Sequence, residues 1–136
     1  MLGLLDRFRK KKKEEEKTAV GPTKLMTELE QLCGDDQETY EALLNTMLLD
    51  PSKVRVSMKA AVENAKNFEK TKDPLRAKIW YEIAGGLALH KGDVKTVIEY
   101  FSKCEKLSPE TKYVILRKPE KAVAKAQEYY DMHLKA

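Results

Sequence analysis

The sequence predicts an all-α fold of about seven helices joined as antiparallel hairpins. Three observations lead there. Hydrophobic residues make up 42% of the 136-residue chain and charged residues 35%, with only six glycines and five prolines. That apolar share can bury a core, and those turn formers are too few for a many-stranded sandwich or barrel. Apolar residues recur at three- and four-residue spacing almost throughout, which is the period of a helix. Finally, Asp-Pro, Ser-Pro or Gly-Asp returns at most junctions and leaves connections of a few residues. Connections that short force neighbouring helices to run antiparallel.

Residues 1–22 read as a basic amphipathic arm and linker, and residues 23–136 as one helical domain. In the arm, Met1, Leu4, Leu5 and Phe8 fall on one helical stripe, among and followed by Arg7, Arg9, Lys10, Lys11, Lys12 and Lys13. Glu14 to Glu16 stand four residues beyond Lys10 to Lys12 and can pair with them. Residues 1–17 hold seven cations against four acids, so they carry most of the chain's net charge of +4. The body is therefore nearly neutral and does not read as a whole-surface polyanion binder. Gly21-Pro22 separates arm from body.

Within the body the first helix carries Leu25, Met26, Leu29, Leu32 and Cys33, and Gly34 stops it. Asp35 or Asp36 caps the second, with Tyr40, Leu43, Leu44, Met47 and Leu48. Asp50-Pro51 starts the third, because proline fits a first helical turn; its stripe is Val54, Met58, Ala61, Val62, Ala65 and Phe68. Asp73-Pro74 starts the fourth, with Leu75, Ile79, Ile83, Ala84 and Leu87. Gly92-Asp93 turns into the fifth, with Val94, Val97, Ile98, Phe101 and Cys104. Ser108-Pro109 opens a short sixth, and Tyr113 to Leu116 read as a buried helical turn. Lys118-Pro119 starts the seventh, whose face is Ala122, Val123, Ala126 and Tyr130.

Residues 78–111 resemble one tetratricopeptide repeat, a 34-residue helix hairpin. With Pro109 at the closing position, Tyr81 takes the first aromatic place. Gly85 takes the small place where the helices cross, Ala88 the next contact, and Gly92-Asp93 the turn. Phe101 matches the bulky place, while Val97 and Cys104 stand where the pattern prefers alanine. A close crossing needs no side chain at Gly85, and Phe101 fills the space beside it. The upstream hairpin, Tyr40 to Phe68, departs from the pattern, with Lys66 and Glu69 where a bulky and a small residue belong. The resemblance implies hairpins stacked as a short right-handed superhelix and a scaffold that binds another protein.

No catalytic constellation, metal spacing or phosphate loop is present in the sequence, so neither an enzyme, a cofactor nor a small-molecule substrate is expected. Cys33 and Cys104 read as reduced core residues of a cytoplasmic protein, and His90 as a helix C-terminal residue. The first-helix positions that hold an acidic peptide terminus in other tetratricopeptide domains are here Ile79, Glu82, Ile83 and Gly86, none suited to a carboxylate. Candidate partner-binding residues are instead Lys78, Trp80 and Glu82. A second candidate is the basic cluster Lys112, Arg117, Lys118, Lys121 and Lys125. Two alternatives stand beside the scaffold. One is peripheral attachment to an anionic membrane through the arm. The other is an RNA- or ribosome-associated factor using the arm and the Lys112–Lys125 cluster.

Overall fold

The computed structural model describes residues 24–46 and 48–134; the basic arm and Met47 lie outside them. The described chain is all-helical, with α1 (Lys24–Cys33), α2 (Gln37–Thr46), α3 (Met58–Lys70), α4 (Pro74–Lys91), α5 (Val94–Leu107) and α6 (Pro119–Tyr129). Six α-helices stand where about seven were expected. The short sixth is a 3-10 turn, Val114–Leu116, and a π-type turn, Tyr130–Leu134, follows α6. The reading of Tyr113 to Leu116 as a buried turn holds, with Tyr113 and Ile115 in the core.

The boundaries follow from capping. Asp36 accepts from the backbone N–H and the hydroxyl of Thr39 at the start of α2. Asp73 accepts from the N–H of Arg76, with Pro74 in the first turn of α4, and Asp93 does the same with Thr96 for α5. Each satisfies an N–H that the helix itself leaves open. Gly92 closes α4 at φ 76°, a left-handed conformation that favours glycine.

The third boundary differs from expectation. Pro51 does not begin α3. The Asp50 carboxylate instead accepts from the N–H and hydroxyl of Ser52, which folds Asp50–Lys53 into a turn. Val54 to Ser57 then run without helix, and Ser57 caps α3 by accepting from the N–H of Ala60.

The helices sort into two groups. In one, α4 lies between α3 and α5 and packs extensively on both. In the other, α1, α2, α6 and the 3-10 turn pack together, and α6 also touches α4 and α5. The expected Tyr40–Phe68 hairpin is not formed: α2 packs on α1, α6 and the 3-10 turn, while α3 packs on α4. The ten residues from 48 to 57 are long enough to carry the chain from one group to the other.

The core also departs from the stripe expected on α4. Leu75 and Ile79 are exposed, at 65% and 45%. Ala84 and Leu87 of the expected stripe are buried, and the buried residues extend to Ala77, Tyr81, Gly85, Gly86, Ala88 and Leu89, with small side chains where two neighbours come close. On α6 the expected face holds, with Ala122, Val123, Ala126 and Tyr130 all buried. Ile98 on α5 is 38% exposed, and Val97, Phe101 and Cys104 fill the core below it.

Candidate interaction surface

The α4–α5 hairpin is closed by one contact. A Cβ placed on Gly85 would stand 2.6 Å from Cε2 of Phe101, whose ring is fully buried. Glycine is therefore required by Phe101, and Phe101 fills the space glycine leaves. Tyr81, Ala88, Val97 and Cys104, which with these two make up the repeat-like pattern, are buried as well. Burial pushes the Cys104 thiol up to about 12, helped by the nearby Glu82 carboxylate, and burial also raises Cys33. Both are free cysteines held as thiols, which makes them poor nucleophiles.

Tyrosine hydroxyls tie the helices to one another. Tyr81 of α4 donates to Glu69 of α3. Tyr113 donates to Glu82 of α4 at 2.7 Å, and Tyr129 of α6 donates to Glu28 of α1 at 2.9 Å. Tyr130 donates to the Leu49 carbonyl at 2.7 Å. Burial raises all four phenols, and the carboxylate that accepts the proton raises Tyr81, Tyr113 and Tyr129 further.

These ties decide where the expected site residues stand. Glu82 is engaged by Tyr113, and Lys78 presents its backbone carbonyl to the Cys104 thiol at 3.6 Å. Trp80 is partly buried against the core. Lys78 and Glu82 share the α4 face turned toward the end of α5, whereas Trp80 stands about 160 to 200° away around the helix. The three do not form one surface.

The basic cluster is largely neutralised. Lys121 meets Asp36 at 2.6 Å, and Arg117 and Lys118 approach Glu38 at 4.0 and 3.6 Å. Lys125 meets Glu128 at 3.1 Å and reaches the Leu32 carbonyl at 3.5 Å. Lys112 is exposed. Glu128 is three residues along α6 from Lys125, but Asp36 and Glu38, at the start of α2, are about eighty residues away in sequence, so periodicity along α6 could not reveal them. Each such pair reduces what this face offers to a polyanion. The arm residues Leu4, Leu5, Arg7, Phe8, Arg9 and Lys10 to Lys13 lie outside the described residues.

The structure brings together a groove that the sequence reading did not single out. It runs between α3 and α5, with the end of α4 at one side, and encloses about 580 Å³. Met58, Val62 and Tyr100 give it an apolar lining, and Lys59, Lys66 and Lys91 stand around it with Glu63. Tyr100 stacks on Tyr81, centroids 6.1 Å apart, and the Lys103 ammonium lies 5.4 Å from the centre of the Tyr81 ring. The signal was the i, i+4, i+8 series Met58, Val62, Lys66, whose apolar members were assigned wholly to the core.

Among the described residues, no group of acidic, cysteine or histidine side chains could hold a metal ion. No helix there is long and apolar enough to cross a membrane. No protein-family model, curated protein or solved structure matches this chain.

Proposed function

We propose that this chain is a non-catalytic, tetratricopeptide-like scaffold that binds another protein. The observation that carries the reading is the α4–α5 hairpin, closed by Phe101 on Gly85 while α3 and α5 leave an open groove between them. A stack of hairpins of this kind offers a rigid, preformed surface, which lowers the ordering cost of binding. The arm, residues 1–22, extends the proposal: its Leu4, Leu5 and Phe8 stripe beside Arg7 to Lys13 has the chemistry to tether the scaffold to an anionic membrane.

Affinity capture from a native extract tests the scaffold, run in parallel with the wild-type chain and a folded Met58→Asp, Lys66→Glu variant. The expected result is a protein held by the first and lost from the second. Identical capture profiles would overturn the reading. For the tether, sedimentation with anionic liposomes is expected to depend on residues 1–17, and unchanged sedimentation after their deletion would remove it.

A further inference from the structure

Resting on that reading, we propose that the α3–α5 groove takes a short acidic, amphipathic segment of the partner protein. The first ground is charge. Lys59, Lys66 and Lys91 surround the groove, and none has a carboxylate oxygen within 4.0 Å among the described residues. On α6, by contrast, Lys118, Lys121 and Lys125 each approach a carboxylate that closely. Among the lining residues themselves, Glu63 is one acid against three lysines; Asp93, capping α5 beside Lys91, keeps its charge while bonded to Thr96. A lining with more lysines than acids attracts an acidic partner and speeds its encounter.

The second ground is the lining between those lysines. Met58 and Val62 are only partly covered by their own chain, so a partner's apolar side chain can complete their burial. From Met58 to Lys66 the groove wall covers about 12 Å, at about 1.5 Å per residue. That length matches about two turns of a helix or about four extended residues. The occupant is therefore a segment that lowers one or two apolar side chains between Met58, Val62 and Tyr100 and sets Asp or Glu against the lysines.

The same features disfavour a nucleic acid. Single strands bind by stacking bases on free aromatic faces. The groove offers one ring, Tyr100, and one of its faces is already stacked on Tyr81.

Selection of short random peptides displayed on phage, against the full-length chain, tests the proposal. The expected peptides combine Asp or Glu with Leu, Ile or Phe, and bound to the chain they shift the amide resonances of Met58, Val62 and Tyr100. Their affinity should fall at least about tenfold, equivalent to about 1.4 kcal/mol, in a Lys59→Glu, Lys66→Glu, Lys91→Glu variant of unchanged melting temperature. A Lys→Gln version of the same variant should show a smaller fall in the same direction. Peptides seated in the groove but basic or uncharged would overturn the acidic partner and leave the scaffold standing. Failure to select any groove-bound peptide would overturn both. A uridylate oligonucleotide that binds the groove lysines more tightly than the selected peptides would also overturn the proposal.

Discussion

The two helix groups combine apolar contacts and polar ties in different proportions. In the α3–α5 array the central contact is apolar and local, with Phe101 against Gly85 across a hairpin of 14 and 18 residues. In the α1–α2–α6 group, polar ties supplement a core of Leu29, Leu43, Ile115 and Ala126: Lys121 to Asp36, Tyr129 to Glu28, and Tyr130 to the Leu49 carbonyl. Gln127 adds bonds from α6 to the Leu89 and His90 carbonyls at the end of α4. Basic residues divide in the same way. Those of α6 approach carboxylates inside the molecule, and the three lining the α3–α5 groove have no carboxylate oxygen within 4.0 Å among the described residues. A lysine count alone would have treated the two faces as equal.

The largest expected effect lies in the array. Phe101→Ala should cost about 3 to 5 kcal/mol of unfolding free energy, measured in urea, because it empties a fully buried site. Near-neutral stability would show that the array does not depend on this contact. Gly85→Ala should cost about 1 to 3 kcal/mol, since the buried ring has little room to move. In a Phe101→Ala background the same change should cost clearly less. Additive costs would mean the two residues are not coupled.

Next come the tyrosine ties. Tyr129→Phe should cost about 1 kcal/mol. The four buried phenols are raised, Tyr129 up to about 12 and the others further. The folded chain thus holds these protons more tightly than the unfolded chain, whose phenols titrate near pH 10. Their contribution is complete below that value and is lost as pH rises through the folded ones. Melting temperature should fall steeply above pH 10, and less steeply in Tyr129→Phe. Equal slopes would remove Tyr129 from the set.

A smaller effect appears in acid. The Lys121 ammonium, followed by the Thr39 hydroxyl and N–H, holds the Asp36 carboxyl well below the usual carboxylate range. Its contribution is present above the ordinary carboxyl value and fades as pH falls below it. Asp36→Asn should therefore flatten the acid side of the stability profile, and an unchanged profile would leave the α2–α6 pair without weight. The smallest effect belongs to the groove. Lys59, Lys66 and Lys91 are exposed and make no ion pair within 4.0 Å among the described residues, so changing them to Gln should leave the melting temperature unchanged. A clear loss would mean they serve the fold.

Most helix boundaries were legible because their chemistry is local. Asp73-Pro74, Gly92-Asp93 and Lys118-Pro119 need only adjacent residues to act. Pro51 misled for the same reason. It offers a helix start, but the side chain of Asp50 reaches Ser52 first, and the chain waits until Ser57 for a cap. On α4, periodicity marks Leu75 and Ile79 as core, and only the presence of a neighbour on each side reveals that small residues are what fit. The groove was hidden because its walls come from two helices about thirty residues apart. Lys66, which disturbs the repeat pattern upstream, lines that groove, and Glu69, three residues on, accepts the hydrogen bond from the Tyr81 hydroxyl.

The tyrosine ties also imply an order of assembly. Tyr81 finds Glu69 across 12 residues, whereas Tyr130 reaches back 81 to Leu49 and Tyr129 reaches back 101 to Glu28. Short loops close at lower entropic cost, so α3, α4 and α5 can join before the rest. During synthesis α1 and α2 emerge before α3, α4 and α5 yet have no α6 to rest on until those helices have been made. Opening should retrace these steps. Native-state hydrogen exchange is expected to show α1 and α2 amides released by a partial opening that leaves α4 protected; a single opening event shared by all helices would rule this order out.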